Sequence, residues 1–204
     1  QVDAIHSVWP QDPGFYRALA GGVTSLQILP GSANLVGGST VTLALHPGVS
    51  SRAMLFEGAP RGVKMACGEN PKRVYGRRGA MPSTRMGNNA GFRAALQKAR
   101  EALEAQEKYE AAMGAWLAKE DRKATDKPQK PARDLGTETL MAVLEGKSLV
   151  HVHCYRADEM VQMLEIADDF GFRIRSFHHA VEAYKIRDIL AKWDVSVSTW
   201  ADWW

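Results

Sequence analysis

Between residues 137 and 199 the chain alternates apolar, β-favouring runs with helix-patterned segments, joined by short links, and few folds accept that rhythm. The spacing predicts a helix over 137–144 stopped by Gly146, a strand over 149–153 and a helix over 157–170 stopped by Gly171. A strand over 172–177, a helix over 180–192 and a strand over 195–199 follow. Strands separated by single helices pair in parallel through right-handed crossovers. A parallel barrel and an open doubly wound sheet both satisfy the pattern.

The first half is less regular. Trp9-Pro10 and Asp12-Pro13-Gly14 supply turn chemistry before a short helix over 15–20, which Gly21-Gly22 ends. VTSLQIL, 23–29, reads as a buried parallel strand, and 41–45 as another short strand. The intervening PGSANLVGGS lacks the Gly-Lys-Ser/Thr of a phosphate-binding loop and does not match GxGxxG, so it reads as a tight strand-to-loop transition. Residues 71–85 are rich in Gly, Pro and Arg and read as an exposed loop. An amphipathic helix is expected over 92–123, followed by the polar, proline-rich KATDKPQKPARD. Together 92–134 form a surface insertion too short for its own core.

Lys64 sits inside the apolar run Val63-Lys64-Met65. Burying a bare ammonium is costly, so this lysine must reach water at a rim, lose its proton or be chemically modified.

Net charge and cysteines exclude some partners. Of 26 Lys and Arg against 23 Asp and Glu, the whole basic excess falls between Arg93 and Arg133, a single surface segment and not a nucleic-acid face. No apolar run is long enough to span a membrane. Cys67 and Cys154 do not make a disulfide framework and leave the compartment open. The start at Gln1 and the ending TWADWW read as the edges of an internal piece of a larger domain.

His151 and His153, two apart, share one face of their strand, and His178 and His179 close the next. In a parallel barrel, reactive side chains sit at the carboxyl ends of strands. Neutral imidazoles from adjacent strand ends make a good pair of zinc ligands; the plainer reading is a set of structural histidines. Cys154 is a strand neighbour of His153 and points the other way, which argues against a nucleophile–base pair.

GVTSLQILPGSANLVGG, GVKMACGENPKR, VHVHCYRADEM and HHAVEAYKI, in this order, resemble the metal-dependent amidohydrolase superfamily, most closely its imidazolonepropionase and prolidase-like branch. The resemblance covers nearly the whole chain outside the long helix and linker. It implies an α/β chain forming part of a TIM-like (β/α)8 barrel, roughly strands 2 to 7, as one incomplete domain over 1–204 with a long helical insertion. It also implies one or two divalent metal ions, most often zinc, and hydrolysis of C–N bonds in a small amide-type substrate. Carried over by residue, His153 and His179 are metal ligands. Lys64 matches a lysine that binuclear members carboxylate, with Glu69 the alternative carboxylate. Tyr155, Arg156 and His178 fall where substrate is contacted, and His151 is a supporting residue. Neither nucleic acid nor membrane is implied as a partner, and homo-oligomerisation is left open.

Two departures stand out. The family's first strand carries a His-x-His pair, and only His6 precedes GVTS here. The family's last strand carries an aspartate that takes the proton from the attacking water; Asp202 comes too early for it, so that base is expected beyond the C-terminus. On this reading the polypeptide alone holds metal weakly and is inactive, while the intact parent is a hydrolase.

Overall fold

The computed structural model describes residues 2–46, 48 and 50–200. Six strands form one sheet in chain order, curled like half of a barrel. β1 (Ser25–Ile28) and β2 (Val36–Ala44) pair antiparallel, and β2 runs antiparallel to β3 (Gly62–Ala66). From β3 onward β4 (Leu149–His153), β5 (Ile174–His178) and β6 (Ser196–Ser198) are parallel. The helices are α1 (Pro13–Ala20), α2 (Glu69–Gly76), α3 (Arg85–Leu117), α4 (Leu135–Leu144), α5 (Ala157–Phe170) and α6 (Arg187–Lys192).

The alternating half of the sequence folds as its rhythm demands. Val63, Met65, Val150 and Val152 point to the helix layer and form one cluster with Phe92 and Leu96 of α3, Leu140 and Val143 of α4, and Met160, Met163 and Leu164 of α5. Each large side chain buried there contributes about 1.5–3 kcal/mol. Gly171 takes the left-handed conformation, φ 73°, that closes α5 and turns the chain into β5.

β5 carries a bulge. The register passes from Val150 opposite Ile174 to His151 opposite Ser176, leaving Arg175 over. Ile174 and Phe177 therefore both reach the core despite their odd spacing, while Ser176 and His178 line up with His151 and His153 on the other face.

The upstream half departs from the sequence reading in four places. β2 starts at Val36, inside the stretch expected as a strand-to-loop transition, and is longer than the strand expected over 41–45. The stretch 23–29 is not a buried parallel strand: β1 is a half-exposed antiparallel strand paired with β2 alone. The expected loop over 71–85 begins with α2, in which Pro71 is a buried first-turn residue; a helix needs no N–H there. The helix expected over 92–123 starts at Arg85, where the Thr84 hydroxyl accepts the Gly87 N–H, and stops at Leu117. Its first turns belong to the core through Phe92, Leu96 and Ala99, and nothing beyond Ala99 in α3 is buried. Downstream, 180–192 is a turn, a 3-10 segment (Ala183–Ile186) and then α6, not one helix.

The two cysteines, which the sequence did not pair, are joined: a disulfide links Cys67 to Cys154 just past the ends of β3 and β4.

Candidate functional site

Strand register builds the site in rows. Lys64, His151 and Ser176 stand opposite one another, and Ala66, His153 and His178 form the next row toward the carboxyl ends. His179 follows with φ 58°, a left-handed conformation uncommon outside glycine. Its ring lies 4.6 Å from that of His153, centroid to centroid, at 53°. Tyr155 meets His153 edge-on at 4.5 Å, and Trp200 meets His179 at 4.9 Å.

His153 is only 1% exposed, and neither ring nitrogen has a hydrogen-bond partner among the described residues. Burial first, and the charges of His179, Lys64 and His178 second, push its pKa down to about 3. Burial likewise takes His178 down to about 4 and lowers His151 and His179. At neutral pH all four rings are uncharged, the form that binds metal.

His151 and His178 spend ring nitrogens on each other. His151 Nδ1 lies 3.1 Å from His178 Nε2, and its Nε2 lies 3.3 Å from the Gln27 amide nitrogen. With that amide donating, His151 Nε2 is the acceptor and its Nδ1–H donates to His178. Gln27 also donates to the Thr40 hydroxyl.

Lys64 is buried, not at a wet rim. Its ammonium donates to the Pro30 carbonyl at 3.1 Å and the Ser32 hydroxyl at 2.9 Å, and it has no ion-pair partner among the described residues. Burial takes its pKa down to about 8. The loop over 30–35 is thus more than a transition: through Pro30 and Ser32 it solvates this amine, while VGGS, 36–39, already belongs to β2.

The other sequence-derived candidates fall as follows. Arg156 gives its guanidinium to Asp158 through two bonds of 2.9 and 2.8 Å. Its loop is tied down by Glu182, whose carboxylate accepts the Ala157 N–H at 3.0 Å and whose N–H donates to the Tyr155 carbonyl at 3.2 Å. Glu69 is committed to Lys72 and Arg85. Cys154 is oxidised and His153 has no bond to it, so the structure holds no Cys–His pair. His6 lies in a 3-10 segment (Ala4–Ser7) and takes part in none of the histidine contacts. Asp202 lies outside the described residues. No third His, Cys or carboxylate joins His153 and His179 at ligand spacing among the described residues.

Sequence reasoning missed Gln27, Ser32, Glu182 and Trp200. Only Ser32 left a signal, as a small polar residue in the loop that follows β1.

No family model matches the sequence. A relative, amidohydrolase tasK of Hapsidospora irregularis, is 36% identical over 197 residues, which cover 92% of this chain and 19% of that protein. A solved amidohydrolase from Thermotoga maritima MSB8 superposes with a TM-score of 0.83 at 37% identity, over 98% of this chain and 48% of that one. In sequence and fold the chain is similar to these two amidohydrolases. It spans about half of the solved relative and about a fifth of the Hapsidospora irregularis one.

Proposed function

We propose that this chain contributes the His153–His179–Lys64 part of a metal-dependent hydrolase centre acting on amide or cyclic amide C–N bonds, in the manner of the imidazolonepropionase and prolidase-like branch. The observation that carries the reading is His153: a neutral ring, fully buried, with neither nitrogen partnered among the described residues, beside a second strand-end histidine. Leaving such groups unsatisfied costs about 1–3 kcal/mol each, and a divalent cation on one of them removes part of that cost.

The residues fit such an ion. His153 and His179 are its imidazole ligands. Lys64, with a pKa near 8, is about one-quarter neutral amine at pH 7.5, against roughly one part in a thousand for an ordinary lysine. A neutral amine adds carbon dioxide, losing a proton to water and leaving an anionic carbamate. Carboxylation would give the centre its carboxylate and remove the buried-cation problem. A bound zinc ion would supply Lewis acidity and a more acidic water. His178, held through His151 by Gln27, and Tyr155, beside the histidine pair, would orient the substrate carbonyl.

The described residues put no carboxylate at His153 and His179 to take the proton from water. On this reading the chain by itself binds metal weakly and does not turn over, and the general base is another part of the working enzyme.

A second reading keeps the fold and drops the metal: a barrel-derived binding protein with structural histidines. The His151–His178 bond favours it, as does the lack, among the described residues, of a third His, Cys or carboxylate at His153 and His179. Zinc titration of the full chain, with bicarbonate present, separates the two. Binding that is lost in His153→Ala and in His179→Ala supports the hydrolase centre. Wild-type chain that binds no more zinc than the double variant sinks it.

A further inference from the structure

A second cluster of donor atoms lies on the far side of the strand ends. Cys67, Cys154 and Glu159 are all buried, and one ligand atom from each lies within 4.8 Å of the others. Among the described residues they are the one set of three such donors. We propose that in the dithiol state these three residues form a binding site for one soft divalent cation, zinc or cadmium, independent of the histidine centre.

Three features argue for a ligand site over a disulfide that only staples two strands. The first is Glu159, a carboxylate 5% exposed beside the sulfur pair. A purely structural disulfide has no need of a buried anion, and burying one is costly. The second is charge. Two thiolates and a carboxylate against one divalent cation leave a single negative charge; the Arg85 guanidinium, donating to Glu159 Oε1 and also reaching Glu69, offsets it, with Lys72 offsetting Glu69. The third is the backbone at Gly68, with φ 72°, where any Cβ would collide with the Glu159 carboxylate. The chain takes a glycine-only conformation immediately after Cys67, and that leaves the carboxylate its place.

The spacing suits the cation. The two Cα atoms are 5.3 Å apart on the ends of adjacent parallel strands. Tetrahedral zinc with Zn–S bonds of about 2.3 Å needs sulfurs about 3.7 Å apart, within reach of these Cα positions by side-chain rotation alone.

A dithiol reductant opens the site. Its two thiols couple into a disulfide as the Cys67 Sγ–Cys154 Sγ bond breaks, and each cysteine sulfur takes one of its protons. Cation binding then releases both thiol protons to solvent.

The test uses the full chain, reduced, freed of reductant under anaerobic conditions and titrated with cadmium. The readout is the ultraviolet sulfur-to-cadmium charge-transfer band, to which imidazole ligands do not contribute; circular dichroism monitors the fold. A band that saturates at one equivalent in the reduced chain, and is absent from the oxidised chain and from Cys67→Ser and Cys154→Ser, supports the site. Glu159→Gln is expected to weaken binding about 10- to 100-fold. A reduced, folded chain without the band overturns the proposal, as does a band that survives either serine variant. So does a chain that resists reduction or unfolds on it. Unchanged affinity in Glu159→Gln overturns the three-donor assignment.

Discussion

His153 and His179 hold their ring centroids 4.6 Å apart across two strand ends, and the more buried of the two has no hydrogen-bond partner among the described residues. That relationship fixes how the metal-free chain responds to acid. The folded-state pKa of His153 is about 3 and its ordinary value 6.5, so between those pH values the unfolded chain binds the extra proton. The stability held above pH 6.5 is lost as pH falls, by at most about 5 kcal/mol from this ring, and His178 adds to the same limb. Urea midpoints of chelator-treated protein between pH 7 and pH 4 should show the decline, with a shallower slope in His153→Gln. Equal slopes in both proteins would remove His153 from the account.

Lys64 gives a slope of the same sign in an alkaline window. Burial lowers its pKa from 10.5 to about 8, so the unfolded chain binds more protons between those values and stability rises with pH across them. Lys64→Met removes the titration. The stability of wild type relative to the variant should grow by about 3 kcal/mol between pH 7 and pH 10.5 in carbon dioxide-free buffer. Bicarbonate at pH 8 should shrink the difference to be gained, because a carbamate has no buried proton to lose. A pH-independent difference would mean that Lys64 is solvated in the folded chain.

The parts of this fold that sequence disclosed are those with local signals. β4 and α5 are bounded by Gly146 and Gly171, and their alternation changes from period two to period 3.6 between those stops. The 23–29 run around β1 is likewise β-branched and apolar, yet the direction and exposure of β1 depend on β2, which local pattern does not report. α2 was hidden by Pro71, a helix breaker everywhere except the first turn it occupies. At the site, His153 and His179 were legible because strand ends present side chains at one face. Gln27 was not, and Ser32 showed only as a small polar loop residue, since each meets its partner across more than thirty residues of chain; the bulge at Arg175 changes no residue type.

Glu182 is expected to hold the loop that carries Tyr155 and Arg156. Its carboxylate accepts the N–H of Ala157, the first residue of α5, where helices leave donors unsatisfied. Glu182→Ala should speed hydrogen exchange at Ala157 about tenfold, because that N–H loses its acceptor. Glu182→Gln keeps an acceptor oxygen and should lie close to wild type. Matching exchange rates in the alanine variant and wild type would show that the loop holds its shape without this bond.

Gly68 offers the sharpest mutational test of how the two ends of β3 and β4 are assembled. Its φ of 72° with ψ of −133° is a region that side-chain-bearing residues avoid, and an added Cβ would meet the Glu159 carboxylate, itself anchored by Arg85. Gly68→Ala should therefore combine backbone strain with a steric clash and cost about 3 kcal/mol in chemical denaturation. Removing the carboxylate in the Gly68→Ala/Glu159→Ala double variant relieves the clash and leaves the strain. The two substitutions should couple by about 1 kcal/mol or more, with the double variant more stable than the sum of the singles implies. Strict additivity would mean that Glu159 yields freely to a side chain at 68, and that the glycine is there for its backbone angles alone.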